Sequence, residues 1–111
     1  MKMFNLTPHA VNLMDDNNTV IATFPQAGIV ARAKQTNVLI ETVDANGVPV
    51  KVYRAEYGAV ENLPEPKEGC AYLVSALTAQ ATKGRDDIYV TMDPVRDEQG
   101  RIIGCRAFGK I

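Results

Sequence analysis

The dipeptide Asn46-Gly47, set between two β-branched runs, is the feature of this sequence that most restricts its fold. Both residues tolerate the positive φ angles of a type I′ turn, which joins antiparallel strands through a two-residue loop. The flanking runs, Val38–Val43 and Val48–Arg54, are therefore predicted to form a hairpin. Pro49 cannot donate a backbone hydrogen bond to a neighbouring strand, so we expect this part of the hairpin to lie at a sheet edge.

Other turn-forming residues divide the rest of the first half into short strands. Ala10–Met14 and Thr19–Phe24 flank the turn formers Asp15–Asn18, and this arrangement predicts a second hairpin. Ile29–Lys34 alternates small apolar and basic residues, as strands with one buried face do. Asn62–Gly69 contains two prolines and three charged residues and is predicted to be a loop.

The second half predicts a strand–helix–strand unit. Ala71–Val74 and Asp87–Thr91 are apolar enough to form strands. Between them, Ser75–Lys83 contains neither proline nor glycine and is rich in alanine, leucine and threonine. Ser75 is a favourable N-cap, and Gly84 occupies the C′ position at which helices commonly end. The sequence therefore predicts a helix of two to three turns.

The C-terminal stretch Val95–Phe108 predicts a hairpin that turns at Asp97–Gly100. Together these elements predict an α+β fold for one compact domain covering residues 1–111. We expect a single, mostly antiparallel β-sheet with hairpins and one short helix in the C-terminal strand–helix–strand unit. Short edge strands of small domains often pair between subunits, so a homo-oligomer is also expected.

Charge and composition narrow the classes of function. The chain has 12 basic and 13 acidic residues, whereas a general nucleic-acid binder carries a basic excess for the phosphate backbone. No apolar run has the length of a membrane-spanning helix or of a signal peptide. Two cysteines do not make a disulfide framework. We therefore expect a cytoplasmic protein that binds neither membranes nor nucleic acids in general.

Few residues could support catalysis or hold a metal. His9 is the only histidine, and Cys70 and Cys105 lack the spacing of metal ligands, so neither a metal nor another cofactor is expected. A hydrolase with Cys105 or Ser75 as nucleophile and His9 as base is one alternative, but no nucleophile-elbow motif supports it. The plainer interpretation makes Thr7-Pro8-His9 a turn after a first strand, and Cys105 a small buried residue on a hairpin strand.

The strand–helix–strand unit is the predicted ligand site. In open α/β sheets, anionic ligands bind beyond the carboxyl ends of strands, close to helix N-termini. The candidate residues combine hydroxyl donors, arginines with bidentate guanidinium groups, and tyrosines that could stack on a base. They are Ser75, Thr78, Arg85, Arg96, Arg106, Tyr72 and Tyr89. In the alternative interpretation, the arginines form ion pairs with nearby acidic residues such as Asp87 and Asp97.

Two stretches resemble small proteins encoded by bacteriophages and prophages. The first is Asn5–Val11, with the sequence NLTPHAV. The second runs from YLVSAL at Tyr72–Leu77 through Arg85–Asp87 to VRDEQGRIIGCR at Val95–Arg106. The resemblance covers nearly the whole chain and implies a phage protein made in the bacterial host cytoplasm, without implying a particular activity.

Three functions remain open at this point. The first is a non-enzymatic phage-type binding protein, with a possible anti-defence role in sequestering a nucleotide-like anionic signal. The second is an inhibitor of a host protein or an assembly factor, which would act through protein–protein contact. The third is the small hydrolase, which we rank last.

Overall fold

The computed structural model describes residues 1–111 and contains two separate β-sheets and one helix. In chain order the elements are β1 (Lys2–Asn5), β2 (Val11–Met14), β3 (Val20–Phe24), β4 (Arg32–Ala45), β5 (Val48–Glu61), β6 (Cys70–Leu73), α1 (Ala76–Ala81), β7 (Ile88–Arg96) and β8 (Ile102–Gly109). Six strands form the main sheet, in the order β1-β6-β7-β8-β2-β3. Strands β4 and β5 pair only with each other, and this long hairpin is called the arm below.

The main sheet is mixed and confirms the predicted fold class. β6 and β7 lie parallel, with Leu73 opposite Tyr89, so β6, α1 and β7 form the predicted strand–helix–strand unit. The predicted hairpins β2–β3 and β7–β8 are both antiparallel. Gly100 has a φ of 80° in the β7–β8 turn, a conformation that glycine adopts without strain.

Helix α1 begins as predicted but ends early. The Ser75 side chain caps it by accepting a hydrogen bond from the backbone N–H of Thr78 at 3.3 Å. At the other end the Thr82 hydroxyl donates to the carbonyls of Thr78 and Ala79, in place of continued helical pairing. Lys83 therefore lies outside the six-residue helix. This helix is too short to cross a membrane.

The hydrophobic core lies between α1 and the β1-β6-β7 side of the main sheet. Its members come from β6 and the residue after it, from β7 and α1, from the segment after β1 and from the residue before the arm. They are Leu6, Ala31, Tyr72, Val74, Ala79, Ile88 and Val90. Because Ala31 belongs to this cluster, the base of the arm is fixed to the core while the rest of the arm extends away from it.

The structure corrects two predictions about the sheet. The expected single sheet is wrong, because β4 and β5 form a sheet of their own. The expected break between Ile29–Lys34 and Val38–Val43 is also wrong, because Gln35, Thr36 and Asn37 continue the ladder opposite β5. A run of polar residues ends a strand that buries one face in a core. Both faces of this hairpin contact solvent, so the same polar residues continue the strand.

The arm gives the molecule an elongated shape. The radius of gyration is 17.7 Å, whereas a compact domain of this length has a value of about 13 Å. Each arm strand has 14 residues, which corresponds to a length of roughly 45 Å at the usual rise of a β-strand. Asn46 and Gly47 form the tip with φ angles of 54° and 85°, as predicted for a type I′ turn.

Candidate functional site

Arg85 is held in a structural ion pair. Its guanidinium donates to both carboxylate oxygens of Asp87, at 2.9 and 2.7 Å, and to the carbonyl of Pro64 at 3.0 Å. The hydrogen bond from Arg85 lowers the pKa of the Asp87 carboxyl, and the same bond raises the pKa of Arg85. This arginine joins the loop before β6 to the start of β7, as the ion-pair interpretation predicted.

Ser75 and Thr78 lie together, but their hydroxyls are used within the fold. The Ser75 hydroxyl donates to the Thr78 oxygen at 3.0 Å, and the Thr78 hydroxyl donates to the Ala31 carbonyl at 3.2 Å. Thr78 is 1% exposed. Both border a cleft of about 280 Å³ that also contacts Arg32, a residue outside the predicted site. The hydroxyls therefore connect α1 to the base of the arm.

The structure places the two predicted tyrosines in different environments. Tyr72 is 4% exposed and stacks on Phe4 with ring centroids 5.8 Å apart, so its face is already covered. Tyr89 is half-buried, and the Lys110 ammonium lies 5.0 Å from its ring centroid.

The other two predicted arginines stabilise turns. Arg96 donates to the Gly100 carbonyl at 2.8 Å, inside the β7–β8 turn. Arg106 donates to the Asn18 side chain in the β2–β3 turn, with Asp16 at 4.0 Å. Their guanidinium groups are thus bound to different turns.

A second cleft, of about 140 Å³, brings Arg85 together with Lys83 and Lys110. Sequence reasoning missed both lysines, because nothing in the local pattern places the C-terminus beside the end of α1. The Lys110 ammonium donates to the Asp86 carbonyl at 2.9 Å. Three basic side chains, one of them from the predicted site, therefore border this cleft.

His9 and Cys105 do not form an activated pair. Both border a cleft of about 360 Å³. Cys105 is 3% exposed on β8, as predicted, and burial raises the pKa of its thiol. The thiol therefore stays protonated at neutral pH and is a poor nucleophile. No group of three histidine, cysteine or acidic side chains could hold a metal ion.

Asn5 is a buried residue that the sequence analysis did not single out. Its amide donates to the carbonyls of His9 at 2.8 Å and Phe24 at 2.9 Å, and its oxygen accepts two bonds from Thr7. These bonds fix the predicted Thr7-Pro8-His9 turn and connect β1 to β3. An asparagine two residues before a threonine can form such an Asx turn, so the signal was present locally.

The largest unexplained surface is the arm. Of its 28 strand residues, 25 are exposed and none is buried. Eight large apolar side chains are exposed on it, close to half of those exposed in the whole chain. They are Val38, Leu39, Ile40, Val43, Val48, Val50, Tyr53 and Tyr57. So many exposed apolar side chains on one element are typical of an interaction surface.

The arm has two chemically different faces. Val43 lies opposite Val50, so both side chains lie on the same face of the arm. The other even-numbered residues of β5 lie on this face too. Leu39 lies opposite Tyr53, on the other face, and Tyr57 shares that face. One face is thus rich in valine and the other carries the aromatic side chains, a residue type enriched in protein interfaces.

The charges of the arm are balanced and have no ionic partners in the chain. Its four basic residues are matched by four acidic residues. They are Arg32, Lys34, Lys51, Arg54, Glu41, Asp44, Glu56 and Glu61. None of them takes part in the three salt bridges of the molecule. The balance gives the arm no net attraction for a polyanion.

Comparison with known proteins identifies no relative of this chain: no family model, no curated protein and no solved structure matches it. Fold and surface therefore define it as a small α+β protein with a projecting, apolar β-hairpin.

Proposed function

We propose that this chain is a non-enzymatic binding protein that acts by contact with another protein through the arm. The observation that carries the proposal is the burial pattern: 28 strand residues form a two-stranded ladder in which no residue is buried. An isolated two-stranded hairpin is at best marginally stable in water. A hairpin of this length gains its missing contacts when a partner covers a face or pairs with an edge.

The size of the arm suits a protein partner. Stable protein interfaces use about 20–30 residues on each side, and the arm offers 28 strand residues. Its tyrosines are of a residue type enriched in protein interfaces, and its dispersed charges can pair with opposite charges on a partner. A small ligand would instead require a concave site of roughly 300–1,000 Å³, whereas the cleft at the tip of the arm measures about 240 Å³.

The resemblance to phage proteins supports a bacterial host cell as the place where this contact occurs. A phage protein made in the bacterial cytoplasm that lacks an activated nucleophile could act as an inhibitor of a host protein or as an assembly factor. This proposal corresponds to the protein-contact hypothesis of the sequence analysis.

The test is a variant with a shortened arm. Deleting Val38–Asp44 and Pro49–Arg54 removes opposite stretches of the ladder and leaves Asn46-Gly47 as the turn. Because the deleted side chains contribute nothing to the core, the shortened protein should keep its fold and nearly its full melting temperature. We expect the wild type to associate with a partner, itself or another protein, and the shortened variant to lose that association.

Sedimentation velocity measures self-association. Capture from bacterial lysate, followed by purification of the captured protein and titration against both variants, measures contact with another protein. A folded, shortened variant that binds every partner as tightly as the wild type would disprove the role of the arm. The same conclusion follows if the wild type binds nothing in either assay.

The nucleotide-like anionic ligand is a second candidate and stays a prediction. Its support is the cleft that groups Arg85, Lys83 and Lys110. It ranks second because Arg85 is already bonded to Asp87 and Pro64.

A further inference from the structure

We infer that the partner of the arm is a second copy of this chain, and that β5 pairs antiparallel with β5 of that copy around a two-fold axis at Ala55. The two arms then form one continuous four-stranded sheet. This inference rests on the proposed function, because it names the partner that the arm binds.

The choice of β5 follows from the regularity of the two edges. The register of the arm shifts between Leu39 and Glu41, where β4 carries Ile40 as an extra residue, and again between Ala33 and Gln35, where β5 carries an extra residue beyond Tyr57. Such a bulge twists an edge and interrupts further pairing. From Val48 to Tyr57 every residue of β5 advances the ladder without an insertion. β5 therefore offers the more regular row of unpaired backbone groups.

Side-chain complementarity selects the register. With Ala55 on the axis, Arg54 lies opposite the partner subunit's Glu56, and by symmetry Glu56 lies opposite the partner subunit's Arg54. Tyr53 lies opposite the partner subunit's Tyr57 in the same way. Opposite charges and aromatic pairs are the cross-strand combinations that stabilise antiparallel sheets. Within the arm, Arg54 faces Val38 and Glu56 faces Thr36, so neither charge is matched inside one copy.

Pro49 limits the ladder at its distal end. In this register Pro49 lies outside the central five residue pairs, Tyr53 to Tyr57, because the regular part of the partner subunit's β5 ends at the partner subunit's Tyr57. A register shifted toward the tip and centred on Tyr53 would bring Pro49 opposite the partner subunit's Tyr57 and lose a donor from the ladder. The position centred on Ala55 keeps the residue without an N–H away from the paired segment.

A second copy also explains the charge balance of the arm. An isologous two-fold interface must be self-complementary, since the same patch meets itself. β5 carries Arg54 and Glu56 on one face, separated by a single residue. A partner that was purely acidic or purely basic would leave one of these two charges opposed by its own sign.

Charge reversal tests the inferred contact. Arg54→Glu and Glu56→Arg each place like charges opposite one another twice, and each should weaken dimerisation about tenfold or more. The double variant restores both pairs with their signs exchanged and should dimerise like the wild type. Lys51→Glu is the matched control, because it makes the same charge change at an exposed β5 position outside the central five residue pairs. Sedimentation velocity from about 1 to about 200 μM covers the affinities expected for a short ladder.

Disulfide trapping tests the register directly. In a Cys70→Ala background, Ala55→Cys places two thiols at the axis, where opposed Cα atoms are about 4.5–5.5 Å apart and within reach of a disulfide. We expect a covalent dimer under mild oxidation. Lys51→Cys is the control, since its two copies would lie roughly 26 Å apart along the strands and stay unlinked.

The outcomes separate this inference from the proposed function. A wild type that stays monomeric at the highest concentration disproves self-pairing. Self-pairing is also disproved if neither charge reversal changes the affinity of the dimer and Ala55→Cys forms no disulfide. If the shortened variant nevertheless loses a captured protein that the wild type binds, the arm is still the binding element. If the shortened variant loses no partner at all, both proposals are wrong.

Discussion

The main sheet and the arm contain similar strand sequences but reach opposite degrees of burial. All 12 buried apolar residues lie outside the two arm strands, and Leu73 on β6 is 0% exposed. Leu39 on β4 is 51% exposed, although it too lies in a regular strand with β-branched neighbours. The difference lies in what covers each sheet, because α1 and the surrounding segments pack on the main sheet and only on the base of the arm.

This contrast shows that a buried core stabilises the main sheet, whereas a turn and backbone hydrogen bonds hold the arm. In the main sheet and α1, burial and hydrogen bonding act together: Asn5 and Thr78 are buried, and no buried polar side-chain atom lacks a hydrogen-bond partner. In the arm, the Asn46-Gly47 turn and the backbone ladder set the conformation without a core. Stability should therefore depend on main-sheet residues, whereas association should depend on arm residues.

The largest expected effect compares a buried leucine with an exposed one. Leu73→Ala leaves a cavity in the main sheet and should lower the free energy of unfolding by about 2–5 kcal/mol. Leu39→Ala should change it by no more than about 0.5 kcal/mol. Urea denaturation at about 1 μM, where the arms are least associated, measures both. Equal losses would mean that the arm has a core of its own.

A smaller effect should distinguish two asparagines. Asn5→Ala leaves the His9 and Phe24 carbonyls without their donor and should lower the free energy of unfolding by about 1–3 kcal/mol. Asn37→Ala removes only an exposed acceptor, 3.0 Å from the Gln35 amide, and should be nearly neutral. Denaturation of the two variants side by side gives the comparison. A neutral Asn5→Ala would show that water replaces the buried amide.

The smallest effect is the pH dependence of the Arg85–Asp87 pair. The pKa of Asp87 is lowered by its hydrogen bond to Arg85, so the pair stabilises the fold above the ordinary aspartate pKa of about 3.9. That contribution is lost as the pH falls through the lower folded-state value. The stability advantage of wild type over Asp87→Asn should be constant from about pH 5 to 8, at no more than about 1 kcal/mol, and should shrink below about pH 4.

Arg85→Gln provides the check on that assignment. In the Arg85→Gln protein, the further change Asp87→Asn should not lower the free energy of unfolding again, because both substitutions remove the same ion pair. If wild type stays more stable than Asp87→Asn by the same free energy down to about pH 2, the stabilisation comes from packing and not from the ion pair. No such pH dependence is expected for removal of the arm residue Leu39.

Local chemistry explains which features could be predicted. Asn46-Gly47 defined its turn, Ser75 defined the start of α1, and the Asp97–Gly100 turn defined the last hairpin, because each depends on backbone conformations within a few residues. The predicted site depended on long-range placement instead. Arg85 was predicted to donate to a ligand, yet the fold brings it to the Pro64 carbonyl, 21 positions earlier in the chain.

The sequence by itself determined the turns, the cap of the single helix and most of the strands, because alternation, glycine, asparagine and serine act through local geometry. It did not determine the continuity of β4 through Gln35–Asn37. The tertiary structure alone decided that the first-half strands split into two sheets and that the arm projects uncovered. The alternating pattern of β4 and β5 is equally compatible with a buried face and an exposed one. Only the position of α1, fixed by the Thr78–Ala31 hydrogen bond and the surrounding core, shows that nothing in one copy reaches the arm beyond its base.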